Sequence, residues 1–480
     1  MPATLEEIRE SFTLAGGASS LTPKIIDRLL NELQRKYGPL HRAIPRKTWL
    51  TDVFYFNQRT ALPKAQFTQE APPNSGSTGA VSASNSTYAQ KSFNIKHTQA
   101  QIDISTFAAK VAVVNGPLID LELAGAAKSM EWLEETTHLF GSAQATLNTY
   151  RPQWDGVDLM VANANKIDAA SQLLSLTQMD NAIDAIRGVY AGELGNDFFF
   201  AMSPKMQSRL NGLFVQQQRF NEAMTKIFSR TDYGDPSAPV ADALAVDAGF
   251  EVQTYRGIPI VLSSFLSSQG SMGAVSTTGN TGSGSSLLNA NTYYYVVEAV
   301  TKYGLTTASA EVSQQPSADG KNVVLTWSTP QPTDAYGNVI DIIAYRIFRG
   351  TSSGSESLYA YVAAYDTSDA AVTSFTDTGL IQAPASNSNL YAYTVASSGG
   401  NAAPDGVTFP RVQTGSQIVE DIFLIPRDPE ILVCPEVNPI ETVMLAPINA
   451  RTRQFALTAD KTLALRAPAF AAKIERVRAA

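Results

Sequence analysis

Cysteine occurs once, at Cys434, and histidine three times, at His41, His97 and His138, in a chain of 480 residues. A single thiol excludes a disulfide within one chain. The histidines fall in an arm, a hairpin and a helix end, with no ligand spacing, so no Cys/His metal centre is expected. Cys434 reads as a buried, inert thiol and the histidines as surface or structural residues. Charge is scarce as well, at 17% of residues, against roughly 25% in an average domain. Such a surface is polar and uncharged, or hidden in an assembly. No apolar run reaches the ~18 residues of a membrane-spanning helix. The N-terminal MPATLEEIRESFTLAGG is acidic and broken by glycine, so no secretory signal and a soluble setting are expected. The net charge of −8 gives no overall reason to expect nucleic acid or a membrane as partner. Phosphate-loop and dinucleotide fingerprints are missing. GTSSG at 350–354 has the G-x-S-x-G form, but it follows a strand in a Ser/Gly loop with no helix after it, so the context of a nucleophile elbow is absent. Neither a catalytic residue nor a cofactor is expected.

At 44% hydrophobic residues the chain is globular and long enough for two or three domains. Residues 1–53 read as an N-terminal arm. It holds a helix opened by Thr22-Pro23, carried by Ile25, Ile26, Leu29, Leu30 and Leu33 and stopped by Gly38-Pro39. Its basic residues are Arg35, Lys36, Arg42, Arg46 and Lys47. Residues 54–104 alternate around a loose polar tip and read as one long hairpin. A ribbon of that length has little core of its own and needs a surface to lie on. Lys64, Phe67, Glu70, Tyr88, Lys91 and Phe93 are its candidate contact residues.

Residues 105–265 mix helix and strand. Ile119, Leu123, Ala126, Ala127, Met130 and Leu133 recur at helical spacing and predict a long amphipathic helix. Glu131, Glu134 and Glu135, with no basic or metal partner nearby in sequence, read as its solvated face. Thr177 with Asp180 predicts the start of a second helix through Ile183, Ile186 and Tyr190. DFFFAM predicts a buried strand, Ser203-Pro204 a helix cap before Met206, Leu210 and Leu213, and VQTYRGIPIVLSS two strands joined at a Gly turn.

The Ser/Gly/Thr-rich stretch 263–286 reads as a linker into residues 266–410, which hold four basic residues against ten acidic ones. TYYYVVEAVTKYG, NVVLTW, AYRIFRG, SLYAYVAAY and SFTDTG are short β-branched and aromatic runs between turns, the pattern of an all-β sandwich. Tyr293, Tyr295, Trp327 and Tyr345 are read as its core, with sugar stacking as the other use of such rings. The mixed character returns over 411–480, where Arg466, Lys473, Arg476 and Arg478 sit. The fold class is α+β with an inserted all-β sandwich. The insert is expected to be a dispensable outer module, removable by deleting 270–401.

The order of these elements resembles the major capsid proteins of tailed bacteriophages, the Hong Kong 97 (HK97-like) fold. The segments that carry the resemblance are AQFTQEA…YAQKSFNIKHTQAQIDIS, GPLIDLELAGAAKSMEWLEETTHLFG, FFFAMSPKMQSRLNGL, VQTYRGIPIVLSS and LALRAPAFAAKIERV. It implies an E-loop at 54–104, a spine helix through Ile119, Leu123, Met130 and Leu133, and peripheral and axial domains at 105–265 and 411–480. The insert resembles fibronectin type III or immunoglobulin-like modules. Its TYYYV…G…S pair, normally the closing one, comes first, as in a circular permutation; otherwise LYAYTV at 390–395 supplies the late strand. The resemblance implies self-assembly as hexamers and pentamers into an icosahedral shell around double-stranded DNA, with no membrane. Scaffold, portal and cement proteins are the implied partners, the scaffold a separate protein. The basic residues would meet DNA on the inside or acidic neighbours at interfaces. Family members can carry Lys–Asn cross-links, and Lys64 and Lys91 flank the hairpin. An encapsulin shell, a carbohydrate-binding protein using the sandwich and, last, an enzyme are the alternatives.

Overall fold

The structure, a computed structural model, describes residues 38–65, 84–107, 118–143, 151–169, 171–214, 252–281, 288–334, 337–354, 356–379, 419–446 and 451–478. The helix expected over 22–33, the exit segment of the insert and LYAYTV lie outside the described residues.

The apolar run Phe198–Met202 forms β6 and is buried along its whole length, as a strand covered on both faces must be. It lies within a six-stranded sheet in the order β5 (Lys166–Asp168), β21 (Ala472–Arg478), β17 (Val419–Pro426), β6, β8 (Ile258–Leu262) and β7 (Thr254–Tyr255). One face, including Phe198, Phe200, Met202, Ile422, Leu424 and Ile474, receives the helix Leu176–Arg187 and the helical residues 204–214 through Met179, Ile183, Ile186, Met206 and Leu210. The other face, with Phe199, Ala201, Phe423 and Ile425, packs on Phe140 and Trp154. Each fully buried Phe contributes about 1.5–3 kcal/mol. Ser203 caps residues 204–214 by accepting from the Met206 N–H. The first of these helices is capped two residues before the expected Thr177: Ser175 and Gln178 form a reciprocal capping box, and Asp180 instead accepts from the Tyr255 hydroxyl. Between β7 and β8 the chain reverses through Arg256 and Gly257, both at positive φ, the two-residue turn whose twist matches a hairpin.

A second sheet runs β1 (Arg46–Thr48), β18 (Leu432–Leu445), β19 (Thr452–Lys461) and β4 (Lys96–Ser105), with β20 (Ala464–Leu465) paired to β18. The long helix Leu118–Phe140 lies on it, Leu123, Ala126, Ala127 and Met130 meeting Ala100, Ile102, Leu457 and Ala459, while Ile119 and Leu133 are half-buried. This corrects the extent of the hairpin, which consists of β2 (Val53–Ala61) and β3 (Thr87–Asn94) alone. After Ile95 the alternating pattern continues, but β4 pairs along its whole length with β19. There, Ile102 and Ala100 find the apolar cross-strand partners Phe455 and Leu457, which the hairpin does not offer.

The insert is two antiparallel sheets around one core. β9 (Val275–Thr281), β13 (Asn322–Trp327) and β16 (Ser374–Asp377) form one, in the order β16-β13-β9. β10 (Tyr293–Thr301), β11 (Gly304–Leu305), β12 (Val312–Gln314), β14 (Ile342–Gly350) and β15 (Ser357–Ala363) form the other, with β10 beside β14. Tyr293, Tyr295, Trp327 and Tyr345 are buried between them. Tyr295 and Tyr359 donate to Asp377 at 2.8 and 2.7 Å, and Arg349 pairs with the same carboxylate. The stretch 263–286 is therefore not a linker throughout: 264–266 make a 3-10 turn with Phe265 buried, and 275–281 are β9, hydrogen-bonded to β13.

The insert is also not separate from its host. Val300, Tyr303, Ile340 and Ala344 share one core with Phe140, Trp154, Phe265 and Phe423, and Leu159 packs among Val296, Phe348, Leu358 and Tyr361. Trp132 meets Tyr303 edge-on, and Thr136 Oγ1 donates to the Lys302 carbonyl at 2.9 Å. Gly304, at φ 125°, lets the chain pass against the Phe265 carbonyl where a Cβ would overlap it. The expectation of a dispensable module is thus corrected, because removal strips apolar partners from the host core. Deleting 270–401 is expected to yield no soluble chain, scored by fractionation after expression; soluble, cooperatively folding protein would show that the two cores are independent.

Candidate assembly interface

The hairpin is anchored at one end only. Phe54 and Phe56 stack with each other and Phe56 with Phe93, Trp49 packs edge-on against Phe54, and the Arg466 guanidinium lies over Phe54 and Phe56. The Gln58 side chain donates to the Arg466 carbonyl. Beyond Gln58 the described ribbon from Arg59 to Ala61 is exposed on both faces. Two strands without a third layer are marginal in water. The six contact candidates therefore separate. Phe93 belongs to the anchor, Lys91 is half-buried, and Tyr88 and Lys64 face solvent, while Phe67 and Glu70 lie outside the described residues. The backbone N–H of Lys64 donates to Ser84 Oγ at 2.6 Å, which keeps the two arms together towards the tip.

Apolar side chains are left uncovered on this ribbon and at the far end of the second sheet. Leu62 is 65% exposed and Tyr88 66%, with Leu50 and Tyr55 nearby in sequence, and Phe107 and Met444 are 76% and 65% exposed. Uncovered apolar groups concentrated on extended elements mark contact surfaces.

Two of the three glutamates near the end of the long helix overturn the solvated-face reading, while Glu131 stays half-exposed. Glu134 and Glu135 are fully buried. Glu134 pairs with Lys461 at 2.8 Å. Glu135 accepts from the Leu40 and His41 N–H groups and from Ser263 Oγ, at 3.3, 3.0 and 2.9 Å, so one carboxylate satisfies the open start of the short helix Leu40–Ala43 and holds the segment that leads to the insert. The basic candidates divide in the same way. Arg46 pairs with Glu436 at 2.9 Å, Arg42 is near Glu131, and Lys47 lies over the Trp49 ring; Arg35 and Lys36 lie outside the described residues. Lys473 and Arg476 are buried in ion pairs within the chain, which corrects the expectation that they meet acidic neighbours at interfaces or DNA on the inside.

Lys473 belongs to a cluster that joins insert and host. Arg346 of β14 donates to Asp158 Oδ2 at 2.6 Å, and Lys473 of β21 bonds Asp158 Oδ1 and lies 3.0 Å from Asp421 and 2.9 Å from Glu475. Glu298 sits 3.5 Å from Arg346, whose guanidinium also lies over the rings of Phe140, Phe348 and Tyr361. Burial alone would raise the Asp158 carboxyl, but Arg346 and Lys473 hold it well below the carboxylate range. Sequence reading passed over this cluster. Its signal was charge set inside otherwise apolar runs, GVDLM, YRIFRG and AFAAKIERV, since a charge survives burial only with a partner. Replacing Arg346 by Met is expected to cost about 3–5 kcal/mol by leaving Asp158 undercompensated. The double variant Asp158→Asn/Arg346→Met should recover part of that loss in denaturant unfolding.

Near the end of the long helix, burial first, then Lys461, Arg46 and His41, lower His138 to about 3. Burial raises Asp155 to about 6 against the Ala143 N–H and Lys96. The depressed His138 contributes stability that is present above its unfolded value of about 6.5 and is lost as pH falls towards 3. Asp155 acts in the opposite sense: its contribution is complete below 3.8 and is lost as pH rises through 6. The two offset each other between pH 6.5 and 4, and below 4 the loss from His138 is joined by that from Asp158, whose carboxyl is held low in the folded chain and returns to its ordinary value on unfolding. In His138→Gln, stability is expected to rise on acidification from pH 7 to 5, read by urea unfolding across the pH series.

No family model matches the chain, and no curated protein matches it. Among solved structures the chain is similar to one from Gordonia phage Cozz, at 10% identity over 99% of this chain and 97% of that one, with a TM-score of 0.45. It is similar to a chain of the capsid of a native GTA particle, at 9% identity over 97% and 98%, TM-score 0.45. A chain of the SrpI encapsulin complex from Synechococcus elongatus gives 9% identity over 96% and 95%, TM-score 0.39. Likeness of this degree assigns no function.

Proposed function

We propose that this chain is the major capsid protein of a tailed bacteriophage, with the Hong Kong 97 fold, assembling through hexamers and pentamers into an icosahedral shell around double-stranded DNA. The observation that carries the reading is the one-ended hairpin, tied to the core by Phe54, Phe56 and Phe93 and exposed on both faces beyond Gln58. A neighbouring subunit supplies the missing layer, and many such contacts of moderate size hold the shell. The β2–β3 ribbon is then the E-loop, the helix Leu118–Phe140 the spine of the peripheral domain, and the six-stranded sheet the axial domain. The insert is an immunoglobulin-like or fibronectin type III-like module whose closing pair, β10 with β12, follows β9 and comes ahead of β13, β14, β15 and β16, an order that supports a permuted module. It presents its free side outwards. With Lys473 and Arg476 consumed internally, the basic arm serves interfaces first and DNA second. Scaffold, portal and cement proteins are its partners, the host cytoplasm its place of assembly and the virion its destination. The chain acts as a structural protein, built for contacts between copies. Sugar stacking by Trp327 or Tyr345 loses support because both rings are buried.

Negative-stain electron microscopy of the protein, expressed alone and with its neighbouring genes, tests the reading. Closed shells or capsomers are expected; a small monodisperse particle under all conditions contradicts it. Shells filled with a protein cargo in place of nucleic acid would mark the encapsulin alternative. The double variant Leu62→Asp/Tyr88→Asp is expected to leave the melting temperature within about 2 °C, as exposed substitutions do, while abolishing shells.

A further inference from the structure

GTSSG, dismissed as a nucleophile elbow, forms the loop between β14 and β15 and wraps a pair of carboxylates. Glu356 is fully buried; its Oε1 accepts from the Gly354 N–H at 3.3 Å and its Oε2 has no hydrogen-bond partner. Glu311, beside β12, lies within hydrogen-bonding reach of Glu356. Its Oε2 accepts from the same Gly354 N–H at 2.9 Å and from Ser353 Oγ at 3.1 Å. The loop turns at Gly354, φ 77°. Two carboxylates thus face each other across one amide. No cation of the described chain acts on either group, and burial, reinforced by Glu311, pushes the Glu356 carboxyl up to about 7. A buried carboxylate oxygen without a donor is costly, and one beside a second carboxylate more so.

We infer that Glu311, Glu356 and Ser353 hold a hard divalent cation, calcium by its chemistry, in the β14–β15 loop of the insert. The donors are all oxygen: two from each carboxylate and the Ser353 hydroxyl, with water completing the six to eight that calcium takes. Two carboxylates cancel its charge. Magnesium, which demands a near-ideal octahedron and keeps its water, fits an irregular set of this kind less well. With only two charged donors the affinity belongs to the weak class of extracellular modules, about 10⁻⁴–10⁻³ M. The bound ion joins the loop to β12, an edge of the five-stranded sheet.

The test is thermal unfolding and calorimetric titration of the full chain with calcium chloride at pH 7.5, with magnesium chloride as comparison. A rise of roughly 2–5 °C at 10 mM calcium is expected, larger than with magnesium and absent in Glu356→Gln and Glu311→Gln. The remote control Asp366→Asn should respond as the parent does. Glu311→Gln, on the more open side, keeps the test valid if Glu356→Gln does not fold. No calcium response in the parent, or an equal one in the Gln variants, overturns the site. Stabilisation of the parent on lowering pH from 8 to 6, without any response to calcium, overturns it in favour of a shared proton.

Discussion

Asp158 is the point on which the rest of the subunit depends. Its two oxygens are taken by Arg346 from the insert and Lys473 from the last strand of the six-stranded sheet, and Asp421 and Glu475 close the set around Lys473. None of these groups tolerates burial alone. The cluster therefore forms only when the chain before the insert, the insert itself and the chain after it have all arrived, and it links three distant stretches of sequence into one folding unit. Apolar packing of Phe140, Phe423, Val300 and Tyr303 around it supplies the bulk of the stabilisation, while the charges make that arrangement specific.

A subunit so tightly closed at its centre contrasts with its extremities. The ribbon beyond Gln58 and the end of the second sheet near Phe107 and Met444 carry apolar groups that nothing among the described residues covers. In the shell protein proposed above the two properties serve one purpose. A rigid centre fixes the angle at which the extended elements leave it, and the extended elements gain their layer from neighbours. Glu135, which ties the arm and the segment before the insert to the long helix, is where the centre meets the arm.

Much of this was legible because local physics decides it. The unbroken apolar run of β6 needs cover on two faces, Ser203-Pro204 starts a helix, and a Gly after Arg256 turns a hairpin. The failures share a different cause. The alternating residues of β4 suit a hairpin partner or a sheet partner equally, and only the apolar face of β19, some 350 residues later, decides between them. Glu134 and Glu135 look solvated until Lys461 and the Leu40 amide are brought to them. β9 is Ser- and Thr-rich, and it becomes a strand because β13 supplies its hydrogen bonds. The candidate contact residues were legible as a ribbon, but which belong to the anchor depends on Arg466 and the aromatic stack.

The central claim is that the ribbon beyond Gln58 is completed by another copy. Hydrogen exchange measured by mass spectrometry on dissociated subunits and on closed particles tests it directly. The account predicts fast exchange over 59–61 and 87–89 in subunits and strong protection in particles, with the Phe54–Phe93 anchor protected in both. Equal exchange of the distal ribbon in the two states would contradict it.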